Sequence, residues 1–172
     1  GDKTINEIRK NWIPERTIDI TFADRYSFSI INISKLKKES EKNLNLLAKN
    51  FFNDTYIMNQ QACNSPHFVF WLGKKDSKFQ NKFWNLLNCV VQNKFKFDEV
   101  QAVEKYTNLL SNLIKYKNFS RVERSMNNNI FIVSSEKKIN NIENIRGISG
   151  TFFQKNITKI SELKDYVSKK CQ

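Results

Sequence analysis

The patterning of this 172-residue chain predicts an α/β fold, a largely parallel sheet with flanking helices. Short runs of β-branched and aromatic residues alternate with helical periods of about 10–18 residues, the rhythm of strands joined by crossover helices. Two runs, Phe68-Val69-Phe70-Trp71-Leu72 and Ile130-Phe131-Ile132-Val133, are apolar without a break. Strands of that kind are covered on both faces, as parallel sheets require. An apolar fraction of 40% with 14 Phe supplies a sizeable core.

The elements follow in order. Thr4-Ile5-Asn6-Glu7 has the form of a capping box and sets Ile5, Ile8 and Trp12 on one face. A helix is therefore expected from about Lys3 to Lys10, stopped before Pro14. Thr17 to Phe22 alternates like a strand, and Ser27 to Ile33 reads as another. Ser34 is expected to open a helix with Leu36, Leu44, Leu47, Ala48 and Phe51 inward. After a loop comes the strand Phe68–Leu72, ended by Gly73. A second capping box, Ser77-Lys78-Phe79-Gln80, starts a helix that turns Phe79, Phe83, Leu86, Leu87, Val90 and Val91 inward, with Cys89 packed inside. Asp98 opens the next, with Val100, Val103, Leu110, Leu113 and Ile114 inward. Arg146-Gly147-Ile148-Ser149-Gly150 leads into Thr151-Phe152-Phe153, and a last helix carries Ile160, Leu163 and Val167.

Composition narrows the function classes. The formal charge of +12 invites a nucleic-acid reading. The lysines are scattered over nearly every element, however, and form pairs such as Lys37-Lys38 and Lys74-Lys75 rather than a block. A solvated surface explains them more simply, and a basic nucleic-acid-binding module stays as the alternative. No apolar run approaches the ~18 residues of a membrane span. The three cysteines have no metal-ligand spacing, and His67 is the only histidine, so no zinc site is expected. A reducing, cytoplasmic compartment fits that cysteine usage.

The chemistry concentrates at Asn59-Gln60-Gln61-Ala62-Cys63-Asn64-Ser65-Pro66. Small and amide residues flank a single thiol between a helical run and a buried strand, which makes Cys63 a candidate nucleophile. Its plain alternative is a buried structural cysteine. No His lies upstream, so a Cys–His protease dyad is improbable, and no neighbouring Cys offers a dithiol redox site. A thiol working without imidazole suits an already activated carbonyl, such as an aldehyde or thioester. The local oxyanion donors are the Cys63 N–H and the amides of Gln60, Gln61 and Asn64. Asp24, Arg25 and Tyr26 form a polar corner that could support the site, or simply a turn.

Phe22-Ala23-Asp24-Arg25-Tyr26-Ser27-Phe28-Ser29, Phe51-Phe52-Asn53-Asp54 and the Cys63 octapeptide resemble the acyl-CoA reductase family, whose fold is similar to that of the aldehyde dehydrogenases. The best-known member of that family is the fatty-acid reductase subunit of bacterial luminescence. The resemblance implies an aldehyde-dehydrogenase-like catalytic domain in which Cys63 accepts the acyl group. NADPH, with NADH as the alternative, would then reduce the thioacyl enzyme to an aldehyde. It implies that Gly1-Asp2 lies before a helix near the cofactor's diphosphate. Residues 1–20 would thus end a cofactor-binding domain whose greater part precedes this fragment, and 21–172 would be the catalytic domain. The fragment alone is then expected to be inactive as a reductase, and a non-catalytic interaction domain derived from the enzyme is the other alternative. The implied partners are coenzyme A or an acyl-carrying protein as donor, and an acyl-protein synthetase. Aldehyde dehydrogenases that hydrolyse their thioester carry a general-base Glu at the stretch matching Ile20 to Asp24. Here no Glu stands there, in keeping with reduction.

Overall fold

The computed structural model describes residues 2–20, 24–125 and 127–171. Strands β1 (Ser27–Asn32), β2 (Pro66–Leu72), β3 (Arg121–Arg124), β4 (Phe131–Ser134) and β5 (Thr151–Ile157) form one sheet, ordered β1-β2-β5-β4-β3. β1, β2, β5 and β4 run parallel, and β3 pairs antiparallel with β4 at the edge. The expected α/β fold with a largely parallel sheet and flanking helices is therefore present.

The helices are α1 (Asp2–Ile8), α2 (Ile33–Leu36), α3 (Glu41–Thr55), α4 (Ser77–Lys94) and α5 (Glu99–Lys115). One face of the sheet packs Val69, Trp71, Ile132 and Phe152 against Phe51 and Phe52 of α3 and Phe83, Trp84 and Leu87 of α4. The other packs Phe68, Phe70, Val133 and Phe153 against Leu109 of α5 and the irregular segments carrying Ile139, Ile142, Ile145 and Leu163. Alternate residues of β2 thus enter opposite cores, which is why its sequence is apolar throughout.

Several expectations need correction. The helix opened by Ser34 is two: α2 is capped by Asn32, and Ser40 caps α3 by accepting from the Asn43 N–H at 3.2 Å. A serine at an N-cap stops one helix and starts the next. Asp76 caps α4, taking the Phe79 N–H at 3.0 Å in place of the expected Ser77 box. Cys89 is exposed, because it lies off the buried line Phe83–Trp84–Leu87–Val91. Thr17 to Ile20 joins no strand, with Ile18 82% and Ile20 75% exposed. Arg9 binds Asp19 at 2.6 Å, so this stretch folds toward α1 rather than onto the sheet. Thr21 and Phe22 lie outside the described residues. The expected last helix is a 3-10 segment, Ile160–Asp165, that buries only Leu163.

The largest correction concerns α5. Val100, Val103, Leu110 and Ile114 face outward, from 54% to 79% exposed, and the buried line is Lys105, Leu109 and Asn112. Lys105 Nζ donates to the carbonyls of Asn128 and Asn129, both at 2.7 Å, and stands over the rings of Phe97 and Phe131. Asn112 donates to the Arg146 carbonyl at 3.2 Å. Main-chain carbonyls in the loops below need donors, and satisfying them turns the polar line inward. Burial pushes the Lys105 ammonium down to about 7.

Candidate functional site

Cys63 lies in the loop between α3 and β2, and its thiol is exposed. The buried alternative for this cysteine is overturned. The loop arrives at the amino ends of β1, β2 and β5 and is tied to each. Ser27, the first residue of β1, donates its hydroxyl to the Cys63 carbonyl at 2.6 Å. Ser65 donates to the Asp54 carbonyl at the end of α3, also at 2.6 Å.

Gln60 holds the base of the loop. It is 1% exposed, and its Nε2 donates to the carbonyls of Pro66 (3.2 Å) and Thr151 (3.0 Å). Its Oε1 accepts from the Gly150 N–H at 3.1 Å. An amide with both ends committed to main chain cannot serve an oxyanion, so Gln60 leaves the set of donors and becomes the anchor of the loop. Gln61 and Asn64 are exposed beside Cys63, and the Cys63 N–H enters no hydrogen bond among the described residues. These three remain positioned as donors.

The backbone here is unusual. Asn59 and Gln60 adopt left-handed conformations, φ 49° and 62°, and Ser149 does the same at 51°. The Ser149 hydroxyl donates to Asn59 Oδ1 at 2.7 Å, clamping two such residues together. Gly150, at φ +84°, packs so closely that an added Cβ would fall 2.3 Å from the Tyr56 hydroxyl oxygen. Non-glycine residues persist in this region only when their surroundings over-determine them, and such residues gather at functional sites.

Beside the loop lies a cluster that the sequence disclosed only in part. Asp24 pairs with Arg146 at 2.9 Å, not with its neighbour Arg25, whose carbonyl accepts from the same guanidinium at 3.1 Å. Arg146 stands over the Tyr26 ring, and Tyr26 stacks on His67 with centroids 5.4 Å apart. The Tyr26 hydroxyl donates to the Ile145 carbonyl, and burial holds its pKa well above the usual phenol value. His67 meets the Gly147 carbonyl through Nδ1 at 3.0 Å, and a carbonyl only accepts, so Nδ1 carries the proton. Burial first, then the Arg146 charge, lower its pKa to about 4. His67 is thus a neutral packing residue and a poor base at neutral pH. Asp24 and Tyr26 thus meet on Arg146 and His67, and Arg25 joins them through its carbonyl. Arg146, which joins them across 122 residues, was missed; its only sequence signal was the adjacent Gly147.

The cofactor expectation fares differently. Gly1 lies outside the described residues, as does the side chain of Asp2, and α1 spans seven residues. The glycine-punctuated segment near Cys63 is filled by its own chain, since a Cβ on Gly147 would fall 1.7 Å from the Thr151 carbonyl oxygen. Among the described residues no group of metal-ligating side chains occurs, and no helix is long and apolar enough to cross a membrane. No protein-family model matches the chain, and no curated protein matches it. What the fold defines is an open α/β sheet; the candidate site defines an exposed thiol on an anchored loop.

Proposed function

We propose that Cys63 accepts an acyl group from a thioester, as the acylation half of an NADPH-dependent reduction of an acyl thioester to the aldehyde. The observation that carries this reading is the exposed Cys63 thiol on a loop immobilised through Ser27, Gln60 and Ser65. A thioester carbonyl is already activated, so a thiolate can attack it without a histidine to assist. The Cys63 sulfur forms a bond to the carbonyl carbon, and the oxyanion is met by the Cys63 N–H and an amide of Gln61 or Asn64. The adduct then breaks the donor's carbon–sulfur bond. The donor leaves as a thiolate and takes up the proton that Cys63 had released. The reduction that follows, with NADPH or NADH as hydride donor, rests on the family resemblance alone, and no step of it is assigned to the described residues.

The test is acyl labelling. The chain is incubated with a long-chain acyl-CoA, digested and mapped by mass spectrometry. A hydroxylamine-labile acyl group on Cys63, absent from equally exposed Cys89 and lost in Cys63→Ala, is the expected result. Label that persists in Cys63→Ala, or spreads evenly over Cys63 and Cys89, would overturn the reading.

A further inference from the structure

The carboxyl ends of the parallel strands hold a second site. β2 leads into α4 on one face of the sheet, whereas its neighbour β5 leads into the 160–165 segment on the other. Adjacent strands whose connections part to opposite faces open a crevice at their carboxyl ends, where open α/β sheets bind ligands. A cavity of about 340 Å³ lies at this end of the sheet on the α4 side, walled by the ends of β4 and β5, by β3 and by the start of α4. That volume lies at the small-ligand end of the usual range.

Its wall has a defined polarity. The indole N–H groups of Trp71 and Trp84 can only donate, and both meet Gln154 Oε1, at 2.8 and 3.0 Å. The Gln154 amide is thereby oriented, and its Nε2 donates to the Ser134 hydroxyl oxygen at 2.9 Å. Ser134 accepts that bond and keeps its own proton to donate. Next along β5, Asn156 Oδ1 accepts from Gln80 at 3.2 Å, while Asn156 Nδ2 is buried with no hydrogen-bond partner. A buried donor left unpaired is destabilising, and the residue that carries this one lines the cavity wall. Arg121, opposite Ser134 in the β3–β4 register, gives its Nε to Glu123 at 3.1 Å and retains its terminal amino groups. Asp76 already caps α4, so the helix N-terminus is not the recognising element.

We propose that this cavity binds a small molecule through an oxyanion, a phosphate or carboxylate, held by Arg121, Asn156 Nδ2 and the Ser134 hydroxyl. The site is independent of Cys63, which lies at the opposite end of the sheet.

The experiment is a titration of the ¹⁵N-labelled chain by heteronuclear NMR at constant ionic strength. Ribose 5-phosphate, inorganic phosphate, acetate and unphosphorylated ribose are the probes. Saturable shifts of the Asn156 side-chain amide and of backbone amides 134 and 154–156, with phosphate or acetate but not with ribose, are expected. The stronger of the two anions identifies the head group. Arg121→Met and Asn156→Asp should each weaken binding about tenfold, the worth of one charge-assisted hydrogen bond. Asn156→Asp keeps the acceptor for Gln80, and Arg121 is exposed on an edge strand, so both variants should retain the wild-type spectrum elsewhere. Shifts spread over the surface lysines, or binding unchanged in both variants, would overturn the proposal, as would the absence of any saturable shift.

Discussion

The amino and carboxyl ends of the parallel strands handle polar groups at the rim of a buried sheet in opposite ways. At the amino ends five large polar side chains turn inward and close on main chain, while Thr151 Oγ1 is buried there without a partner. Gln60, His67, Tyr26, Tyr56 and Lys105 are all buried, and each bonds a carbonyl of a segment distant in sequence. At the carboxyl ends Gln80 and Gln154 complete bonds below the surface, but Asn156 and Ser134 line a cavity, with Asn156 Nδ2 buried there without a partner. A rim closed on main chain can hold a reactive side chain still. An unfinished one can take a ligand.

That contrast can be broken by experiment, and the largest effect should come from the thiol. Cys63→Ala is expected to lose acyl labelling altogether while leaving the urea midpoint in place, because the side chain is exposed. A shift in stability would show that the loop depends on the sulfur. Next comes Gly150→Ala, which meets both a positive φ and the Tyr56 hydroxyl, and should destabilise by about 4 kcal/mol or prevent folding. A mild effect would mean that the amino-end rim yields. Gln60→Leu removes three buried bonds and should cost about 3 kcal/mol by urea unfolding, with acyl labelling slowed as the loop loosens.

His67 offers a pH test of the same rim. Its folded pKa of about 4 lies below the unfolded value, so between about 4 and 6.5 the unfolded chain binds the extra proton. Stability should therefore fall as pH drops from about 6.5 to about 4, by about 3 kcal/mol, and then level off. His67→Gln should flatten that fall; an unchanged profile would place the acid sensitivity elsewhere. Lys105 works in the alkaline range. Burial holds the folded group's pKa below the unfolded value near 10.4, so stability should rise as pH climbs toward that value and Lys105→Met should remove the rise. This is the smallest expected effect, because two carbonyls and two aromatic faces favour the charged form that burial opposes.

Legibility in the sequence followed the kind of signal. The unbroken apolar runs disclosed β2 and β4, and their burial on both faces foretold the parallel sheet. β3, with Val122 its only apolar residue, gave no period to read. α5 was placed correctly but turned the wrong way, since periodicity sees only apolar residues and its docking line is led by Lys105 and Asn112. At the thiol, Cys63 stood out through its small and amide neighbours. Gln60 looked like one more of those amides, and only the return of Gly150 and Thr151 to the loop shows that it is an anchor.

By itself the sequence determined which segments form the layers, because burial of apolar side chains is local in pattern and strong in energy. It also determined that one cysteine would stand among small polar residues without a histidine base. The tertiary structure decided which polar groups close on one another and which stay open, since hydrogen-bond partners such as Asp24 and Arg146 are set by chain crossings far apart in sequence. It alone put the thiol at one end of the sheet and the donor-lined cavity at the other.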